Sequence, residues 1–180
     1  MNLPTTFALL LVSLLDVNGV RREPLKVSND DKANALFFVA NDCPISNAFA
    51  HEISRICADY RAKGVACTLV YVDPVITDQR AQEHAAEYGH GDYPRIVDRR
   101  HGLVKATGAT VTPEEAVIVR AGKIVYLGRI DDSVGALGQP RRPARSLDLR
   151  DALDAVVEGR VVKTARTKAL GCYISDFVTK

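Results

Sequence analysis

Residues 35–46 read ALFFVANDCPIS, and this stretch decides the fold. Its first half is an unbroken apolar run bounded by Asn34 and Asn41, which is typical of a strand buried on both faces of a sheet. Pro44 then suits the first turn of a helix, and Gly64 suits its C-terminal cap. Between them, apolar residues recur at helical spacing, namely Ile45, Phe49, Ile53, Ile56 and Tyr60. The sequence therefore predicts a central strand that leads directly into a helix of about five turns.

The rest of the chain continues the alternation of strands and helices. The predicted elements are a buried strand at 66–72, a polar helix at 78–88, a short strand at 93–98, a helical turn at 101–108, a hairpin of strands at 116–119 and 123–127, and an amphipathic helix from 147 to 156. Such an alternation, closed by a hairpin and a helix, predicts an α/β sandwich with a mixed central sheet flanked by helices.

Length and composition exclude several classes of protein. A chain of 180 residues suits one domain, which we place at residues 16–160, with a C-terminal tail at 161–180 that carries Cys172. With 47% hydrophobic and 26% charged residues, the chain is neither disordered nor a polytopic membrane protein. A net charge of +2 is too small to indicate a nucleic-acid partner. The sequence holds no glycine-rich nucleotide motif, so we expect no cofactor.

The N-terminal run FALLLVSLL at residues 7–15 has two interpretations. It is too short to span a bilayer, so no integral membrane span is predicted, but it has the length of the apolar core of an export signal. Alternatively it is a first strand, with a turn at 16–19 and a hairpin partner at 20–27, since Asn-Gly favours a hairpin. The first interpretation places the protein in the periplasm or outside the cell, whereas the second leaves the cytoplasm open.

Cys43 is the strongest candidate for a catalytic residue. It lies between the buried strand and the helix, where free backbone N–H groups and the helix dipole stabilise a thiolate. We expect its sulfur to lie near the surface, and a small buried residue without chemistry is the alternative. Ser46 stands where a C-x-x-C motif has its second thiol, and its hydroxyl is expected either to contact the thiolate or to satisfy a free N–H of the first turn.

Three further cysteines are candidates for a partner of Cys43. Cys57 lies about 21 Å along the same helix, too far for a disulfide, and Cys67 is expected to be inert core. Cys172 follows the last helix on a tether long enough to reach Cys43, between Gly171 and Tyr173, which suggest a flexible, partly exposed turn. An unpaired tail cysteine remains the alternative.

Thr112 and Pro113 form an X-Pro pair just before a predicted strand. X-Pro bonds tolerate the cis form, and a cis proline that faces a reactive cysteine exposes the preceding backbone to a substrate strand. The four histidines show none of the spacings of a zinc site, so no metal is predicted. They are interpreted as surface residues, with His51 on the outer side of the first helix.

Four segments together resemble bacterial redoxin-domain proteins of the AhpC/TSA and TlpA-like branch of the thioredoxin fold: LFFVANDCPIS, GATVTPEEAV, GKIVYLGRIDD and TKALGC. The resemblance covers residues 16 to 174 and implies a thioredoxin-like sandwich with an N-terminal hairpin. It also implies that Cys43 is the nucleophile, that Pro44, Thr112 and Pro113 form the substrate-binding surface, and that Cys172 is the late cysteine of this subgroup. No role follows for Arg129, Asp131 or Asp132.

The sequence departs from the family pattern in two places. Peroxiredoxins carry P-x-x-x-T-x-x-C, and Leu36 and Ala40 occupy the matching positions here, so the hydroxyl that orients peroxide is missing. Ser46 replaces the second redox cysteine. The leading hypothesis is therefore a thiol–disulfide oxidoreductase in which Cys43 attacks and Cys172 resolves, with a protein or a small thiol as partner. The alternatives are a thiol peroxidase with antioxidant activity and a redox-inactive module that binds a peptide or protein.

Overall fold

A computed structural model of the chain describes residues 12–113, 116–120, 122–136, 138–139 and 141–175. The elements in chain order are β1 (Leu14–Leu15), β2 (Arg21–Arg22), β3 (Ala33–Val39), α1 (Pro44–Arg61), β4 (Val65–Tyr71), α2 (Asp78–Glu87), β5 (Arg95–Val97), α3 (Gly102–Thr107), β6 (Val111–Thr112), β7 (Ala116–Arg120), β8 (Lys123–Gly128), α4 (Asp148–Val157) and β9 (Cys172–Tyr173).

The central sheet has five strands in the order β5-β4-β3-β7-β8. Strands β3, β4 and β5 are parallel, β7 pairs antiparallel with β3, and β8 pairs antiparallel with β7. The hairpin between β7 and β8 turns at Gly122, whose φ of 74° favours glycine. The predicted mixed sheet flanked by helices is confirmed.

Strand β3 is buried along its whole length because helices cover both faces of the sheet. On one face, Phe37 belongs to a core cluster with Phe49 of α1 and Leu149 of α4. On the other face, Phe38 belongs to a second cluster with Leu103 of α3. Each fully buried side chain of this size contributes about 1.5–3 kcal/mol. The end of β3 and the start of α1 are therefore held firmly by both clusters.

A short hairpin precedes the sheet. Leu14 pairs with Arg22 and Leu15 with Arg21, and the turn is closed by Asp16, whose carboxylate accepts the backbone N–H groups of Asn18 and Val20. Residues 7–11 of the apolar run lie outside the described residues, and Leu14 and Leu15 at its end form strand β1. Among the helices of the described ranges, none combines the length and apolarity needed to cross a bilayer.

After α4 the chain is attached to the edge of the sheet before it reaches its end. Leu127 of β8 donates its N–H to the carbonyl of Ala165 at 2.9 Å and accepts the N–H of Thr167 at 3.4 Å. Gly128 allows this approach, since a Cβ there would overlap the Thr167 hydroxyl. We call residues 165–167 the clip. The clip directs the last described residues back toward the start of α1.

The last described residues form strand β9, which pairs antiparallel with β6. Ile174 extends the pairing by donating its N–H to the carbonyl of Thr110 at 2.9 Å. Cys172 and Tyr173 form a strand where the sequence suggested a turn, and the partial exposure expected there is observed, with Tyr173 exposed. Gly171 serves a close approach instead, because a Cβ at this position would overlap the Thr112 carbonyl oxygen and lie 3.0 Å from its carbonyl carbon.

Candidate active site

Cys43 occupies the N-cap of α1, with Pro44 in the first turn. Its sulfur accepts the backbone N–H of Ser46 at 3.4 Å, and its carbonyl accepts the N–H of Asn47 at 3.0 Å. The first turn of α1 has no acidic residue that would oppose a negative charge. A thiolate at this position would face one donated N–H and the positive end of the helix dipole.

Cys43 is joined by a disulfide to Cys172, with the two Cα atoms 6.1 Å apart and 129 positions apart in sequence. This Cα separation lies within the ordinary range for disulfides. Only 2% of Cys43 is exposed, so the expectation of a sulfur near the surface is wrong for this state. The reason lies in the tail, because Cys172 and Ile174 pack against the apolar cluster that contains Cys43.

Thr112 and Pro113 lie beside this disulfide. The peptide bond between them is cis, and the carbonyl oxygen of Thr112 is 3.4 Å from the Cys43 sulfur. Strand β6, which ends at Thr112, holds the tail strand by backbone pairing. The structure thus brings Cys43, Pro44, Thr112, Pro113 and Cys172 to one place at the N-terminal end of α1.

Ser46 is buried next to Cys43 but uses its hydroxyl elsewhere. The Ser46 hydroxyl accepts the backbone N–H of Ala40 at 3.3 Å, so it ties the end of β3 to the first turn of α1. The contact from Ser46 to the Cys43 sulfur is made by its backbone N–H. The hydroxyl therefore satisfies an N–H that lies before the helix. The sequence had suggested instead a contact with the thiolate or with an N–H of the first turn.

The other two cysteines form a separate pair of buried thiols. Cys57 on α1 and Cys67 on β4 are free, and they are 1% and 6% exposed. Burial raises the pKa of the Cys57 thiol, and its hydrogen bond with the Cys67 thiol raises it further. Both cysteines belong to the core cluster between α1 and the sheet, as the sequence predicts for Cys67.

The histidines differ from expectation. His51 is exposed as predicted, but His84, His90 and His101 are buried, and the interpretation of these three as surface residues is wrong. His84 faces inward because it shares the packed side of α2 with Ala81 and Ala85, whose small side chains bring the helix close to the sheet. Within the described residues, no group of three His, Cys, Asp or Glu side chains could hold a metal ion.

Sequence reasoning missed a polar network that runs from α2 to the loop before Cys43. The ring of His84 is hydrogen-bonded to the Tyr71 hydroxyl and to the Asn47 side-chain oxygen, both at 2.9 Å. Asn47 in turn donates to the carbonyl of Asn41 at 3.1 Å. Burial lowers the pKa of His84, which favours the neutral form of the ring. The network links the loop before Cys43 to α2. In the sequence, its only signal is the small residues on the packed face of α2.

Arg129, Asp131 and Asp132 act in the fold around α4. Arg129 pairs with Asp148 in the first turn of α4 at 2.8 Å. Asp131 accepts the N–H of Ser133, and Asp132 accepts backbone N–H groups in the loop before α4. These contacts fix the entry to α4 and contain none of the site residues named above.

The sequence model of the Redoxin family matches residues 19–139. The chain belongs to the Redoxin family. This Redoxin is similar in structure to an uncharacterized conserved protein from Geobacillus kaustophilus, at 30% identity, a TM-score of 0.76, and coverage of 93% of this chain and 89% of that chain. A hypothetical protein from Sinorhizobium meliloti 1021 gives 27% identity, a TM-score of 0.73, and coverage of 90% and 88%.

More distant structures show the thioredoxin-like fold. A secreted disulfide oxidoreductase from Mycobacterium tuberculosis, described as homologous to E. coli DsbE, gives 17% identity, a TM-score of 0.57, and coverage of 84% of this chain and 97% of that chain. The thioredoxin-like sandwich that the resemblance implied is thereby confirmed for this Redoxin. The comparison with curated proteins finds no match.

Proposed function

We propose that this Redoxin is a thiol–disulfide oxidoreductase in which Cys43 is the nucleophile and Cys172 is the resolving cysteine. The observation that carries the proposal is the disulfide between these two residues at the N-terminal end of α1. One sulfur lies where a helix stabilises a thiolate, and the other arrives on a separate strand. The Thr112 carbonyl and Pro113 beside them would form, with Pro44, the surface against which a partner chain lies.

The proposed reaction exchanges two electrons. In the reduced protein, the Cys43 thiolate attacks one sulfur of a partner disulfide, a bond forms between them, and the second partner sulfur leaves as a thiolate with the electron pair. The Cys172 thiolate then attacks the Cys43 sulfur and displaces the first partner sulfur. The partner disulfide is thus reduced to two thiols while Cys43 and Cys172 become the disulfide. A protein dithiol or a small thiol returns the pair to the reduced form.

The test uses a peptide disulfide and reduced protein in equal amounts, with no other thiol present. We expect Cys43→Ser to lower the rate of reduction at least a hundred-fold, and Cys172→Ser to accumulate a mixed disulfide that mass spectrometry locates on Cys43. Cys57→Ala is the matched control and should react as the wild type does. Full turnover by Cys43→Ser would contradict the proposal, and no reduction of the peptide by the wild type would favour the redox-inactive binding module.

A second measurement separates the oxidoreductase from the peroxidase alternative. In reduced protein, alkylation of Cys43 should titrate below the ordinary cysteine pKa of about 8.5, because the helix stabilises the thiolate. A midpoint at or above that value would contradict the assignment of Cys43. Rapid formation of sulfenic acid on Cys43 at low peroxide would instead favour the peroxidase.

For the compartment we propose the periplasm or the exterior of a bacterial cell, with the cytoplasm as the alternative. Disulfides persist in oxidising compartments, and the Mycobacterium tuberculosis protein of the same fold is described as secreted. Fractionation of cells that express the full gene checks this proposal. Recovery of all of the protein with the cytoplasm would contradict it.

A further inference from the structure

The tail strand β9 covers the place where a second sulfur reaches Cys43. Cys172 pairs with Thr112 and Tyr173 with Val111, and Ile174 donates its N–H to Thr110. Cys172 and Ile174 also pack against the apolar cluster that contains Cys43. In the disulfide state, residues 171–174 therefore lie along β6, at the edge beside the Cys43 sulfur.

A partner that forms a mixed disulfide with Cys43 takes the bond that Cys172 makes in the disulfide state. Its cysteine needs a Cα about 4.4–6.8 Å from that of Cys43, and Cys172, at 6.1 Å, shows that a residue paired with Thr112 of β6 meets this requirement. A partner segment that pairs in the same way would run where β9 runs, along the backbone of β6, in an extended conformation. The contacts of each tail residue therefore indicate which residue type a partner segment needs at the matching position.

Three positions of the tail differ in what they tolerate. The residue before the cysteine lies against the Thr112 carbonyl, where a Cβ on Gly171 would overlap the oxygen. The residue after the cysteine is unconstrained, since Tyr173 is 84% exposed. The next residue, Ile174, packs on the apolar cluster that contains Cys43. The edge thus selects glycine, then cysteine, then any residue, then an apolar residue.

From these contacts we infer that the partner of this Redoxin is a protein with an extended segment in which glycine precedes the reactive cysteine, and that the tail strand and this segment compete for the same edge. The inference rests on the proposed function. In the oxidised protein the covalent bond holds the tail on the edge and keeps partners out. Reduction leaves only a two-residue pairing and its neighbouring contacts, so the edge becomes available when Cys43 becomes a thiol.

The test uses the reduced full-length Cys172→Ser variant and peptides copied from residues 170–175. One peptide is Leu-Gly-Cys-Tyr-Ile-Ser, and the second has valine in place of glycine. Each carries thionitrobenzoate on its cysteine through a disulfide. Cys43 attacks the peptide sulfur, a bond forms between them, and coloured thionitrobenzoate leaves with the electron pair. Both peptides should react equally with free 2-mercaptoethanol, which controls for intrinsic reactivity.

We expect the glycine peptide to react at least ten-fold faster than the valine peptide. A third peptide, with aspartate in place of isoleucine, should also be slower than the glycine peptide. Equal rates for all three peptides, with rapid reaction of Cys43 toward a small aromatic disulfide, would overturn the inference and leave the proposed function standing. No reaction of Cys43 with any of these disulfides would overturn the proposed function itself.

Hydrogen exchange of the wild type tests the competition. In the oxidised protein the N–H of Ile174 is bonded to Thr110 and should exchange slowly. On reduction we expect its exchange to accelerate at least ten-fold, whereas the N–H of Leu127, bonded to Ala165 in the clip, should be unchanged. If the Ile174 N–H stayed protected from exchange after reduction, the tail would still be paired with β6, and the inference would be overturned.

Discussion

Reduction of the bond between Cys43 and Cys172 should destabilise the folded protein by a large and calculable amount. The bond closes a loop across 129 sequence positions, which removes conformational freedom from the unfolded chain. The chain-entropy relation gives an entropy difference of about 17 cal/mol/K for this length, equivalent to about 5 kcal/mol at 25 °C. For a urea m value of about 2 kcal/mol per M, the midpoint should fall by about 2.5 M.

The assay is urea unfolding of the wild type with and without dithiothreitol, followed by circular dichroism. Reductant should have no effect on Cys172→Ser, which cannot form the bond, and the full effect on Cys57→Ala, since Cys57 is free. A loss below about 1 kcal/mol in the wild type would refute the reasoning, because a loop of this length would then leave the unfolded chain unconstrained. An equal loss in Cys172→Ser would show that reductant acts elsewhere.

Three further predictions concern the core and the clip. Burial lowers the pKa of His90 to about 4, so the unfolded chain binds more protons between that pH and about 6.5. Stability should therefore be lost as pH falls, by about 2 kcal/mol between pH 7 and pH 5, and His90→Leu should abolish this part of the pH dependence in urea titrations. In reduced folded protein at pH 8, Cys57 and Cys67 should resist alkylation until denaturant is added; mass spectrometry showing more than two modified thiols without denaturant would contradict their burial. Gly128→Ala should lower the free energy of unfolding by about 1–3 kcal/mol because its Cβ would overlap Thr167, and an unchanged thermal midpoint would show that the clip is loose.

The elements around Cys43 could be predicted from the sequence because their signals are local. The apolar run before Asn41 and the helical spacing after Pro44 specify strand β3 and helix α1 without reference to other segments. Their junction places Cys43 at the helix start, so the candidate nucleophile follows from neighbouring residues alone.

The tail and the buried histidines could not be predicted because they depend on distant segments. Strand β9 has two residues, too few for an alternating pattern, and it forms only against β6, which lies 60 positions earlier. His84 lies on a helix of mostly polar composition, and its burial depends on how closely Ala81 and Ala85 approach the sheet. The spacing of side chains along one segment predicts neither the pairing of β9 with β6 nor the burial of His84.

The clip limits how far Cys172, the proposed resolving cysteine, can move after reduction. Cys172 lies five positions after Thr167, so a released Cys172 stays within about 17 Å of the anchored point. A thiol confined to so small a volume acts at an effective concentration in the millimolar range, whatever the concentration of thiols in the surrounding solution. The lifetime of a mixed disulfide between Cys43 and a partner then depends on the length of the segment between the clip and Cys172. Each residue added to this segment would lengthen that lifetime.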